Sequence, residues 1–72
     1  MTLLRLTVER KDRNHSQSEL SRLSGLHPTT ISLIESGRFL PSQGQLERLS
    51  KALRFPGNPE ELLEGVDVSL RA

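Results

Sequence analysis

The sequence predicts an all-α fold, a compact bundle of five helices. Three observations favour it: capping signals stand at the starts of several segments, glycine or proline stands at their ends, and the leucines and isoleucines between recur every three or four residues. Two of these segments follow each other directly between residues 16 and 37. With 72 residues and no cysteine, the chain is one small domain stabilised by helix packing or by a partner, without disulfides.

The first predicted helix runs from a Thr2 cap to about Arg13. Its residues Leu3, Leu6 and Arg10 share one face, at spacings of three and four. Arg10 therefore points where a core residue would, and a buried guanidinium left without a partner would cost several kcal/mol. We expect Arg10 to form a buried ion pair, the alternative being a solvated arginine at the helix edge.

Two short helices are predicted next. Ser16 stands three residues before Glu19, which is the spacing of a capping box, and Gly25 suits the left-handed conformation that ends a helix. Pro28 suits the first position of the following helix, so His27 is its expected N-cap. Two helices of about two turns joined by a tight turn have the geometry of the DNA-binding helix-turn-helix.

A fourth helix is predicted after an apolar loop. Ser42 and Gln45 have the spacing of a second capping box, and the leucines that follow have the spacing of a core face. In the loop before this helix, we expect Phe39 or Leu40 to pack under the bundle.

A short last helix and a tail complete the chain. Asn58 and Pro59 provide an N-cap and a first helical position, and two glutamates suit the first turn of a helix that ends at Gly65. The tail, residues 66–72, begins with alternating apolar and polar residues, so a strand, a dimer arm and a disordered end are all compatible with it.

The first three predicted helices carry a set of residues that are common individually and specific only together: Arg10, Gln17, Glu19, Leu20, Gly25, Ile31, Glu35 and Gly37. This set resembles the signature of the phage-repressor and Cro-like (XRE-type) helix-turn-helix family, and the resemblance covers roughly residues 4–64. It implies a lambda-repressor-like DNA-binding domain over residues 1–65, with a recognition helix at about residues 28–36. It also implies a salt bridge between Arg10 and Glu35 that holds the first helix against the recognition helix.

The resemblance further implies a DNA-contacting face. The positions that match the base readers of the family are Pro28, Thr29, Ser32 and Leu33, and the expected phosphate contacts are Ser16, Gln17, His27 and Arg38. Pro28 has no donor, so the two hydrogen bonds that a glutamine there could make to adenine are lost. We therefore expect Leu33 to pack on thymine methyl groups, unless the helix is rotated and Leu33 belongs to the core.

Charge is divided unevenly along the chain. Residues 1–54 hold nine Lys or Arg against five acids, whereas residues 55–72 hold one Arg against four acids. The basic part contains the helix-turn-helix, as expected of a nucleic-acid binder. We expect a symmetric dimer, because one recognition helix covers too few base pairs to be selective. By elimination its surface lies in the C-terminal half, with Leu62, Leu63 and Val66.

Several classes of function are not supported by the sequence. No histidine stands at a useful spacing from a serine and an acid, the two histidines are not spaced as metal ligands, and no phosphate-binding glycine loop is present. We predict no enzymatic activity, no metal and no cofactor. The apolar run after Met1 is too short for a signal peptide or a membrane span, so a cytoplasmic protein is expected. The resemblance implies a bacterial or phage origin.

The function that the resemblance implies is a sequence-specific transcription regulator that binds double-stranded DNA as a dimer on a palindromic operator. Two alternatives stay open. One is a protein-interaction module or antitoxin-like protein that keeps the fold with little DNA binding, with a toxin or RNA polymerase as its partner. The other is a fragment of a larger regulator.

Overall fold

The computed structural model describes residues 1–70 and is mostly helical. Four α-helices are present in these residues: α1 (Arg5–Asp12), α2 (Gln17–Ser24), α3 (Pro28–Glu35) and α4 (Gln43–Leu53). They are accompanied by two 3-10 helices, η1 (Pro59–Leu63) and η2 (Val68–Leu70), and by two strands, β1 (Thr2–Leu4) and β2 (Gly65–Asp67). The prediction of a mostly helical bundle is confirmed, whereas the fifth α-helix is replaced by η1 and a small sheet is added. None of the helices in residues 1–70 has the length and apolar content needed to cross a bilayer.

The N-terminal residues form a strand where the sequence predicted the start of a helix. Leu3 lies opposite Val66 in an antiparallel pair, and α1 begins only at Arg5, whose N–H donates to the carbonyl of Glu64 at 2.7 Å. Thr2 therefore does not cap a helix. The prediction was wrong here because backbone groups of this segment bond to a strand that is distant in sequence.

The first part of the predicted tail belongs to the domain itself. Residues 65–67 form β2, so of the three alternatives for the tail the structure has a strand at this point. At the end of this strand, the carboxylate of Asp67 accepts from the hydroxyl and the N–H of Ser69 at 2.6 and 3.0 Å. These hydrogen bonds hold the pKa of Asp67 below its ordinary value, and the bond from the Ser69 hydroxyl has the largest effect. Arg71 and Ala72 lie outside the described residues.

One apolar cluster joins all four α-helices and η1. It consists of Leu6, Leu20, Leu26, Ile31, Ile34, Leu46, Leu49, Leu53 and Leu62. Helix α4 contributes three of these residues on one face. It begins at the predicted capping box: the Ser42 hydroxyl accepts from the Gln45 N–H at 3.2 Å, and the Gln45 side chain accepts from the Ser42 N–H at 2.9 Å. The helices are thus fixed around a core that lies behind α3.

Three apolar residues lie at the surface, among them Phe39 and Leu40, one of which was wrongly expected to pack under the bundle. Leu23 of α2 is 41% exposed, and in the loop before α4 Phe39 is 42% and Leu40 79% exposed. Pro41 is the buried residue of that loop. Because Pro41 precedes the N-cap of α4 directly, it anchors the loop and leaves the two residues before it in solvent.

Candidate nucleic-acid interface

Helix α2 begins and ends at the residues that the sequence marks. The Ser16 hydroxyl accepts from the N–H of Glu19 at 3.0 Å, which satisfies one of the free N–H groups of the first turn. Gly25 ends the helix with φ 77°, the left-handed conformation in which residues with a Cβ are strained. The chain then turns sharply, and the Ser21 hydroxyl donates to the carbonyl of Leu26 across the turn.

Helix α3 is capped by a histidine. His27 Nδ1 accepts from the N–H of Thr29 at 3.1 Å, and Pro28 occupies the first helical position, where a missing N–H leaves no partner unsatisfied. Ile31 and Ile34 are buried in the core. This rotation of α3 decides which of its other residues face outward.

The four predicted base readers share the outward face of α3. Pro28, Thr29, Ser32 and Leu33 are all exposed, and Leu33, which is 37% exposed, is not part of the apolar core cluster. Helical spacing brings these residues together, because positions three and four apart lie on the same face of a helix. The face thus presents the hydroxyls of Thr29 and Ser32 beside the apolar side chains of Pro28 and Leu33.

A buried ion pair holds α3 in place. Arg10 donates from Nε and Nη2 to the two carboxylate oxygens of Glu35 at 2.8 and 3.0 Å, and the side chains are only 10% and 7% exposed. Arg10 Nη1 also donates to the carbonyl of His15 at 2.7 Å. The bidentate geometry is the strong form of such a pair, and it joins α1 to the end of α3.

Gln17 connects α2 to the same ion pair. Its Nε2 donates to Glu35 Oε1 at 3.1 Å, which places the start of α2 beside the end of α3. An amide nitrogen carries two hydrogens, so one N–H group of Gln17 is engaged here and the other is left for a ligand.

The predicted phosphate contacts lie at both ends of α3. Ser16 and Gln17 adjoin the C-terminal end through the contact with Glu35, and Arg38 follows this end of the helix, exposed and without a salt bridge to any residue of the described chain. His27 lies at the N-terminal end, where its Nδ1 is used for the cap. The exposed face of α3 is therefore flanked at both ends by groups that can bind an anion.

On the outer face of α2, Glu19 and Arg22 form an exposed ion pair. The hydrogen bond from Arg22 lowers the pKa of Glu19, and the same bond raises the pKa of Arg22. The pair keeps the carboxylate at the start of α2 neutralised, which limits its repulsion of an approaching anion.

The residues predicted for a dimer surface differ in exposure. Leu62 is 0% exposed and belongs to the core cluster, so its prediction as an interface residue was wrong: in η1 it turns inward against α1 and α4. Leu63 and Val66 are half-buried, and both retain surface that a second chain could cover.

Comparison with known proteins places the fold in a family. A family model described as Helix-turn-helix matches residues 8–57, which include most of α1 and all of α2, α3 and α4. No curated protein and no solved structure matched the chain. The matched segment is more than half of the chain and contains the turn at Gly25 and both partners of the Arg10–Glu35 pair. The chain therefore belongs to the phage-repressor and Cro-like (XRE-type) helix-turn-helix family, a family of DNA-binding regulatory domains.

Proposed function

We propose that this protein is a sequence-specific transcription regulator that binds double-stranded DNA as a symmetric dimer on a palindromic operator. The observation that carries the proposal is the exposed face of α3, whose orientation is held from behind by the buried Arg10–Glu35 pair. A helix presented in this way fits the major groove of B-form DNA.

Base reading in this proposal depends on few polar groups. Pro28 cannot donate a hydrogen bond, so Thr29 and Ser32 supply the hydroxyls and Leu33 packs on thymine methyl groups. A face of this kind gives part of its selectivity by direct contact and part through the shape and deformability of the DNA.

The DNA backbone is bound at the two ends of α3. Ser16 and Gln17 supply the N-terminus of α2, whose free N–H groups attract phosphate, and Arg38 supplies a charge close by. At the other end, His27 uses Nδ1 for the cap and keeps Nε2 for a phosphate. Contacts of this kind set the register of the protein on the duplex.

Dimerisation through the C-terminal half is proposed because it leaves α3 free. Leu63 and Val66 are the half-buried apolar residues of this half that the sequence pointed to, and a symmetric interface would bury them against the same residues of a second copy. The two copies of α3 would then meet half-sites about 10 base pairs apart.

Selection of duplexes from a random pool tests the proposal. We expect the enriched sequences to be palindromic, with half-sites about one helical turn apart, and sedimentation of the complex to give two chains per duplex. Failure to enrich any duplex, or a single chain bound to a single half-site, would contradict it.

Leu33→Ala tests the assignment of the base-reading face. We expect the variant to lose preference at one thymine-containing position, by about 1–3 kcal/mol, with an unchanged melting temperature. Leu23→Ala is the matched control, since Leu23 has similar exposure but lies on α2, and it should leave the base preference intact. A large drop in melting temperature for Leu33→Ala with base preference retained would show that Leu33 is a packing residue.

A further inference from the structure

The cations of the described chain differ in whether they form a salt bridge. Four arginines of α1, its C-cap and α2 do so: Arg5 and Arg13 with Glu9, Arg10 with Glu35, and Arg22 with Glu19. On α4, Arg48, Lys51 and the C-cap residue Arg54 form no salt bridge with any of residues 1–70, although Glu47 belongs to the same helix. Helix α4 therefore presents cations that the domain itself does not neutralise.

These cations border a groove between α2 and α4. The groove has a volume of about 500 Å³ and is lined by Leu23, Ser24, Arg48, Lys51, Ala52 and Arg54. Its apolar lining consists of Leu23, which is 41% exposed, and Ala52, which is half-buried. The groove thus combines two apolar side chains with three cations that the described chain leaves without a salt bridge.

The groove is separate from the face proposed to bind DNA. Helix α3 packs against α2, whereas α4 packs against α2 and η1. The groove adjoins the C-terminal end of α2, where the guanidinium of Arg48 comes within 3.5 Å of the place that a Cβ on Gly25 would occupy. Gln17 stands at the opposite end of this eight-residue helix, about 12 Å away. A ligand in the groove would thus contact the C-terminal end of α2, whereas the phosphate proposed to bind Gln17 would lie at its N-terminal end.

We propose that the groove binds an acidic segment of a partner protein, with an apolar side chain of the segment packed on Leu23 and its carboxylates paired with Arg48 and Lys51. Charge complementarity favours carboxylates, and arginine binds them in bidentate geometry. The apolar side chains of Leu23 and Ala52 add nothing for a phosphate backbone, and the groove has no aromatic side chain on which a base could stack. A second copy of this chain fits less well, because of the two leucines in its own acidic stretch Leu62 is buried and Leu63 is already assigned to the proposed dimer surface.

The inference goes beyond the proposed DNA binding and does not depend on it. It assigns to α4 the binding of another protein. This partner would be bound while α3 remains accessible to DNA.

A labelled peptide tests the groove. The probe is a short fluorescein-labelled peptide in which two leucines are flanked by aspartates and glutamates, titrated with the full chain at low salt. We expect saturable binding that the double variant Arg48→Gln with Lys51→Gln weakens by about fivefold, since each exposed ion pair contributes little individually. Leu23→Ser should weaken peptide binding to a similar extent, and all of these variants should keep the melting temperature of the parent because the three residues are exposed.

Arg38→Gln is the matched control for charge. It should leave the affinity for the peptide unchanged and weaken the affinity for duplex DNA, whereas the Arg48 and Lys51 double variant should affect the peptide first. Because different substitutions weaken the affinity for the peptide and the affinity for DNA, failure of the groove proposal can be told apart from failure of the DNA-binding proposal.

Four results of the binding experiments would overturn the inference. They are an absence of peptide binding, peptide binding that the groove variants do not change, equal binding of a peptide whose leucines are replaced by serine, and displacement of the bound peptide by duplex DNA. Loss of self-association in the Arg48 and Lys51 double variant would assign the groove to a second copy of the chain instead of a partner, and would overturn it as well.

Discussion

At the scale of single residues, the Arg10–Glu35 pair connects stability to the presentation of α3. Both side chains are largely buried, and each satisfies the charge of the other with two hydrogen bonds. We expect Arg10→Met to lower the free energy of unfolding by about 3–5 kcal/mol, because it leaves the carboxylate of Glu35 buried without its counterion. Chemical denaturation monitored by circular dichroism measures this loss.

Two further variants distinguish the stability that this ion pair contributes from a general effect of removing a charge. The double variant Arg10→Met with Glu35→Met should be more stable than Arg10→Met alone, since it removes the stranded charge along with its partner. Arg22→Met breaks an exposed pair and should leave the midpoint nearly unchanged. Equal midpoints for Arg10→Met and Arg22→Met would show that the Arg10 pair does not stabilise the fold.

The two histidines should respond oppositely to the same substitution. His15 Nδ1 is buried without a hydrogen-bond partner among the described residues, so His15→Leu removes a buried polar atom and should stabilise the domain by about 1 kcal/mol. His27 Nδ1 caps α3, so His27→Leu removes that acceptor and should destabilise it by about 1 kcal/mol. Thermal melts of the two variants measure the signs, and a shift in the same direction for both would contradict this assignment of their roles.

At the scale of secondary structure, substitution of two glycines by alanine distinguishes the effect of backbone conformation on stability from the effect of steric packing. Gly25 has φ 77°, and a Cβ there would make only ordinary contacts, with Arg48. Gly25→Ala should therefore cost about 1–2 kcal/mol from backbone strain alone. Gly44 lies in the first turn of α4, has no positive φ, and would place a Cβ in open space, so Gly44→Ala should stabilise the domain by about 0.4–1 kcal/mol.

Urea denaturation of both glycine variants checks this prediction. Because the substitution is identical, the difference between the two midpoints reports the conformation required at each position. A stabilised Gly25→Ala variant would mean that the turn between α2 and α3 does not need the left-handed conformation.

Helices α2, α3 and α4 could be predicted from the sequence because local contacts define where each begins. The Ser16 and Ser42 caps accept from residues three positions later, and Pro28 fixes a helix start by its ring. The strand pair could not be predicted in this way. Leu3 and Val66 meet from the two ends of the chain, and strands of three residues are too short to show a period.

The side of a helix that faces the core was predictable only in part. Ile31 and Ile34 of α3 lie inside, whereas Leu23 of α2 is exposed although it follows the buried Leu20 by three residues, because α4 does not cover the last turn of α2 completely. In η1, the choice between Leu62 and Leu63 depends on how five residues of 3-10 helix dock, which their sequence does not specify. The residues of the candidate interface came from the family resemblance, and packing then determined which of them are exposed.

At the scale of the whole molecule, charge is separated between the two parts of the chain. The first 54 residues carry nine Lys or Arg and five acids, and the remainder carries one Arg and four acids. Four of the arginines in the first part are used in salt bridges. The cations without a salt bridge in residues 1–70 thus include Arg38, after the end of α3, and the group on α4.

Salt dependence of DNA binding should distinguish these two sets of cations. Each phosphate neutralised by a cation releases counterions, so the logarithm of the association constant should fall linearly with the logarithm of salt concentration, by about 0.9 per contact. We expect Arg38→Gln to reduce this slope by about 1, with a uniform loss of affinity over all sequences, since a phosphate contact carries no base information. Lys51→Gln makes the same change of charge on α4 and should leave the slope unchanged. Fluorescence anisotropy of a labelled duplex, titrated with the parent and both variants at several salt concentrations, measures the slopes. If Lys51→Gln reduced the slope and Arg38→Gln did not, the DNA would have to approach the side of α4 instead of the exposed face of α3.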